Sequence, residues 1–396
     1  MSRSPITRFG CHARPAVPTG TVVAVPGRPN AAIDHARIPE LDGIRAIAIW
    51  MVLLFHIFYG WVPVDHNFSP IPRFVMLAVA HGWLGVDLFF VLSGFLITGV
   101  LLDSKEKTHY FRNFYARRFL RIMPLYFTVV LIFSIFYRHS RNFLILSTLF
   151  AANLAYMFNV RVPHGPAVLW SLAVEEHFYL IWPLLVYVLG RSRLTILAVL
   201  IVVLTPVVRG IAVAHGMPID DTVYVYSWFR FDGLAFGALA AVWIRSSNAS
   251  PRNCYRLAGL LMGMAVAITI IGAPFGLLHT RSVVGAALRN TQAQLPFVSF
   301  LLVALALQGS QLIAVLRSPL ARLSGSLSYC LYLIHFAIGD GYESVVRYFG
   351  VRPSVVFGDL GAILVRGTFI IVASFGIAIL SKKYLEDPFL RLKRFF

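Results

Sequence analysis

Residues 41–58 read LDGIRAIAIWMVLLFHIF. The apolar run that starts here is as long as the hydrocarbon core of a bilayer is thick, and it carries two ionisable side chains, Arg45 and His56. They are eleven positions apart, which at about 100° per residue is three turns plus roughly 20°. Both therefore lie on one helix face, about 16 Å apart along the axis. A charged group at mid-bilayer costs at least about 2.5–3.5 kcal/mol, so a cation and an imidazole on one stripe are candidates for function.

Outward from this stretch the same texture continues. Of 396 residues, 58% are hydrophobic and only 13% charged, about half the charged share of a soluble domain. Apolar runs fall at 44–62, 83–102, 122–137, 143–160, 170–189, 194–214, 228–244, 255–275, 294–316, 322–340 and 361–381. The expected fold is all-α, a polytopic integral membrane bundle. The formal charge of +18 would suggest nucleic acid in a soluble protein. Here Lys and Arg cluster in short segments between apolar runs, which is the positive-inside pattern of a membrane protein and excludes a nucleic-acid partner. Cys11, Cys254 and Cys330 form no CxxC and no metal spacing, so neither a disulfide scaffold nor a metal site is expected. Residues 1–37, rich in Arg, Pro and Gly, read as a disordered basic arm. Residues 38–396 form the membrane domain.

The charges also set the topology. Loop 103–121 (DSKEKTHYFRNFYARRFLR) is strongly basic and so cytoplasmic, as is the arm. If 143–160 crossed the membrane, GRSR at 190–193, RSPLAR at 317–322 and the basic tail would all face outside. If it dips into the outer leaflet instead, all of them lie inside. The expectation is ten crossings, one membrane-dipping segment and both termini cytoplasmic.

Further ionisable groups mark other spans. Ser93 and Gly94 in GVDLFFVLSGFLIT favour close helix packing. Arg117, Arg118 and Arg121 sit at the mouth of the third span, where a fork of guanidiniums suits either a phosphate-bearing cofactor or anionic lipid. Glu175 and Glu176 stand beside His177, and Ser171 shares the face of Glu175. Arg230 and Asp232 suggest mutual neutralisation. Tyr332 lies on the face of His335. The ionisable clusters on four spans are expected to converge in the outer half of the membrane, opposite the arginines. A His with a partner carboxylate is the usual means of deprotonating a hydroxyl.

Five stretches in order, PELDGIRAIAIWMVLLFH, GVDLFFVLSGFLIT, FYARRFLRIMPLY, LWSLAVEEHFYLIWPLL and SYCLYLIHF, with EDPF at the end, resemble the integral-membrane acyltransferase type 3 family of bacterial polysaccharide and O-antigen O-acetyltransferases. The resemblance implies ten crossings of a bacterial inner membrane and an acyl-CoA co-substrate, most often acetyl-CoA. Its acceptor would be a glycan or glycolipid such as lipopolysaccharide. It makes His56 the base, with Arg45 essential, Glu175 as partner carboxylate, and Arg118 and Arg121, beside Arg117, on the donor side. Glu176, Ser93, Arg230, Asp232, Tyr332 and His335 would support the substrates. Some relatives carry a soluble domain after the last helix, and none is expected in a sequence stopping at Phe396. The competing reading is a flippase for a lipid-linked glycan, which uses the same polar stripe as a path. No inverted repeat supports it.

Overall fold

Proline at the first turn, with Glu40 and Asp42 beside it, starts helix α1 (Pro39–Leu54) where the positive end of the helix dipole favours acidic side chains. The computed structural model describes residues 38–59, 79–279 and 281–396. The basic arm predicted over 1–37, with Cys11, and the predicted outer end of the first span lie outside the described residues. Beyond Leu54 the helix opens into one wide π turn, Phe55–Tyr59, which carries His56.

Nine further long helices follow the apolar runs, and the described residues contain no strand. They are α2 (Gly85–Ser104), α3 (Tyr110–Phe136), α5 (Leu169–Val188), α6 (Arg191–Ala214), α7 (Phe231–Ile244), α8 (Pro251–Gly272), α9 (Val283–Ala306), α10 (Pro319–Tyr348) and α11 (Pro353–Ser381). Between α3 and α5 lies the short helix α4 (Arg141–Thr148). The segment 143–160 is therefore not one helix. Beyond α4 it continues as a 3-10 turn, Ala152–Leu154, inside which Asn153 is buried. The Asn153 amide donates to Ser227 Oγ at 2.9 Å, so protein covers this irregular backbone.

Among the described residues six helices are long and apolar enough to cross a membrane: α1, α2, α3, α6, α8 and α11. A seventh span arises if α9 and the turn Gln311–Arg317 count as one, but the chain bends by 110° between them. The run 294–316, read as one straight crossing, is thus broken. Helix α7 has 14 residues, about 21 Å at 1.5 Å per residue, which is short of a ~30 Å core. Helix α5 is longer, but Glu175, Glu176 and His177 dilute its apolar run.

Helix α2 is central: 72% of its apolar stretch is buried, against 17% in α8. It packs on α7 through small residues from both sides. A Cβ on Gly94 would run into the Leu234 carbonyl, and one on Gly237 into the Val91 carbonyl. Gly325 of α10 meets the backbone at Asp42 of α1 in the same way. Such contacts let backbones approach where lipid supplies no hydrophobic drive. These three contacts pair α2 with α7 and α1 with α10, helices that carry ionisable side chains.

Candidate active site

The ionisable residues do not form one outer-half cluster. They fall into three groups, one of which lines a cavity.

That cavity, about 290 Å³, lies among α1, α2, α3, α5 and α10. Arg45, Arg118 and Arg121 line it together with Glu175, Glu176 and Ser93. The predicted donor-side arginines and the predicted partner carboxylate thus share one wall, whereas Arg117 is exposed and lies outside the lining. The Arg118 guanidinium sits 3.7 Å over the ring of Tyr179, a cation–π contact. Tyr179 hydrogen-bonds Ser93, and both reach Glu175. Tyr179 stands four residues after Glu175, on the same helix face, so the spacing that singled out Glu175 could have found it. Arg45 donates to Asp42 one turn back. Nε of Arg118 is buried without a hydrogen-bond partner. Arg118 is also a lining residue, and a guanidinium beside a cavity fits an anionic or carbonyl ligand.

The second group is a pair of histidines. His56 on the π turn and His335 on α10 approach ring to ring at 5.0 Å. Nδ1 of His335 is 3.0 Å from the Leu331 carbonyl, which can only accept, so that nitrogen carries the proton. In a neutral ring Nε2 of His335 then accepts, and His56 Nδ1 donates to it over 3.0 Å. The basic lone pair of His56 is therefore on Nε2. The His56 imidazole is thus oriented by His335. The wide turn is itself held: Arg366 of α11 donates Nη1 to the Ile57 carbonyl and Nε to Glu343 Oε1, each at 2.8 Å. The two groups communicate through Tyr332, which lines the cavity. Its hydroxyl is 2.6 Å from Ser171 Oγ, and its ring is 6.0 Å from that of His335.

The third group is a buried network of ion pairs. Arg230 and Asp232 do not pair with each other: Arg230 stands just before α7 and Asp232 in its first turn, and each has another partner. Arg230 pairs with Asp87 at 2.9 Å, and Asp232 pairs with Arg209 of α6 at 2.9 Å, all four fully buried. Gln294 donates to Asp87 and Thr291 to Asp232. This network ties α2, α6, α7 and α9 and lines no part of the cavity. Arg209 was legible as a lone cation inside an apolar run, while its partner was not.

Among the described residues no set of three or more His, Cys, Asp or Glu side chains could hold a metal ion, and Cys254 and Cys330 are free, buried thiols.

Residues 38–382 match the family model described as an acyltransferase domain. The chain is 28% identical over 386 residues to the peptidoglycan O-acetyltransferase OatA of Listeria monocytogenes, covering 89% of this chain and 55% of that protein. It is 28% identical over 334 residues to the O-acetyltransferase OatA of Staphylococcus aureus, covering 76% of this chain and 50% of that one. No solved structure matches. The chain spans about half the length of these curated relatives. With the matched region taking in helices α1 to α11, and so all three groups just described, the chain belongs to the acyltransferase domain family.

Proposed function

We propose that the protein is a multi-pass membrane O-acyltransferase that moves an acetyl group from an acyl thioester, acetyl-CoA, to a hydroxyl of a surface glycan. The printed names of the relatives favour peptidoglycan over lipopolysaccharide as the acceptor. The observation that carries the reading is an oriented imidazole, His56 on His335, one aromatic residue away from an arginine-lined cavity. In this reading Arg118 and Arg121 hold phosphate or the thioester arm. Glu175 and Tyr179 fix Arg118. Arg45 completes the basic wall from α1. His56 Nε2 takes the proton of the acceptor hydroxyl, whose oxygen attacks the thioester carbonyl. The ten-crossing topology of the inner membrane, with both termini and the arginines on the cytoplasmic side, puts the donor where it is made.

The test is thiol release from acetyl-CoA by the protein in nanodiscs, with and without glycan-strand oligosaccharides. Acceptor-dependent release, with acetate recovered on the glycan, is expected. His56→Ala should lower it by roughly 10²–10⁴-fold, the usual share of a general base. Glycan binding or movement without thiol release would instead make the protein a carrier.

A further inference from the structure

Helix α3 is basic at both ends. Arg117, Arg118 and Arg121 stand near its start, and Arg138, His139 and Arg141 stand in and just beyond the turn that follows it. From Arg118 to Phe136 is about 27 Å at 1.5 Å per residue, close to the ~30 Å of a hydrocarbon core. Basic loops retained on the cytoplasmic side account for one end of a crossing helix and not for both. Acidic side chains do not account for the second end either. The sequence has none between Glu106 and Glu175, and among the described residues no acidic side chain pairs with Arg138 or Arg141.

These two arginines line a groove of about 530 Å³ between α3 and α4. Helix α4 folds back along α3, as the bond from the Tyr126 hydroxyl to the Ser147 carbonyl records. Arg138 and Arg141 are therefore neighbours at the turn, and Phe127 marks the other end, about 16 Å away at 1.5 Å per residue. The walls between are apolar, Phe127 and Leu131 on α3 and Leu144 and Ile145 on α4. Leu144 is buried, while Phe127, Leu131 and Ile145 are exposed along the sides. Ser134 and Thr148 also line the groove, but their hydroxyls donate to the Leu131 and Ile145 carbonyls of their own helices, each at 2.7 Å. Two guanidiniums thus stand at the bilayer surface with an apolar channel running inward from them. A second groove of similar size, about 570 Å³ on α11 around Phe369 and Val372, has no charged residue in its lining.

We propose that the α3–α4 groove is a seat for one anionic phospholipid, with its phosphate on Arg138 and Arg141 and a hydrocarbon chain between Leu131 and Ile145. The order of polarity along the groove is that of the lipid, charge at the surface and hydrocarbon inward. Guanidiniums suit phosphate because their planar fork matches its oxygens. Basic pockets between membrane helices hold head groups on the same principle. A dissolved phosphate leaves the apolar walls uncovered, and a zwitterionic head group brings its own cation against the arginines. The inference needs α3 to cross a bilayer and is independent of the reaction the protein performs.

The test is photocapture of lipid by the full chain in nanodiscs that hold phosphatidylglycerol and phosphatidylcholine in equal amounts with matched chains. The photoreactive change Ile145→benzoylphenylalanine reports on the proposed seat. Val372→benzoylphenylalanine, in the uncharged groove, reports the ratio that the bulk membrane sets. Mass spectrometry of the adducts should show phosphatidylglycerol exceeding phosphatidylcholine about ten-fold at Ile145, an excess in keeping with two arginines near one anionic head group, and no such excess at Val372. Arg138→Gln together with Arg141→Gln, both exposed positions, should bring the Ile145 ratio down to that at Val372. Leu131→Trp, which fills the groove and keeps both charges, should lower capture at Ile145 several-fold. Excess inorganic phosphate at constant ionic strength should leave the ratio unchanged. Equal ratios at Ile145 and Val372 overturn the proposal without recourse to any arginine variant. A ratio that survives loss of both arginines, capture that Leu131→Trp leaves intact, or a preference that phosphate erases overturns it as well.

Discussion

At the scale of single residues, Arg118 combines a cation–π contact, a cavity position and an unpartnered Nε. A guanidinium that contacts a ligand already in the ground state contributes to binding more than to turnover. Arg118→Ala is therefore expected to raise the apparent KM for acetyl-CoA about ten-fold or more with a smaller change in kcat, consistent with the roughly 1.5–3 kcal/mol of a charged hydrogen bond. Arg118→Lys should recover little, since a point charge neither stacks on Tyr179 nor reproduces the fork. Steady-state kinetics in nanodiscs checks both. Sequence could single out these residues because each is an ionisable side chain in an apolar run. It could not pair them. His56 meets His335 across 279 positions and Arg230 meets Asp87 across 143, and such contacts depend on which helix faces oppose each other.

At the scale of elements, the glycines of α2 and α7 define how closely two helices lie. Gly94→Ala would push a methyl into the Leu234 carbonyl, and backbone cannot swing aside as a side chain can. A loss of about 1–3 kcal/mol is expected from such overpacking. Gly259 of α8 has nothing within 4 Å of its would-be Cβ. Gly259→Ala should be neutral or stabilising by up to about 1 kcal/mol, from helix propensity alone. Thermal unfolding of the two variants in detergent, monitored by thiol labelling of buried Cys254, distinguishes them. A small residue in FFVLSG was legible as a packing site, but its partner on α7 was not. The helix ends were legible where Pro or acidic residues mark them, as at Pro39. Residues 294–316 hid their break because Gly309 and Ser310, which turn the chain, interrupt an otherwise apolar run.

For the whole molecule, the charged loops decided the expected topology more than the apolar runs did. The irregular course of 143–160, with Asn153 tucked under Ser227, suits a segment that does not cross. A cysteine at Val162 is expected to react with a membrane-impermeant thiol reagent in intact cells, and one at Ser192 only after the cells are opened. The reverse pattern would mean that 143–160 spans the membrane. The crossing count was harder to read, because α5 and α7 give up apolarity and length to carry carboxylates and ion pairs inward.

The arginine cavity has one more consequence, for ionic strength. Its three guanidiniums are matched by Glu175 and Glu176 and by Asp42 bonded to Arg45, so its formal charges cancel. The excess positive charge lies outside, where exposed Arg117 and half-buried Lys393 stand close to Arg118 and Arg121. Under the proposed function a polyanionic donor would be drawn to the doorway by a field that reaches only about 10 Å at 0.1 M salt, and held within by contacts that salt barely screens. Added salt should slow the rate at which donor arrives and leave the rate at which it departs almost unchanged, an asymmetry that stopped-flow binding of a fluorescent acetyl-CoA analogue would show directly.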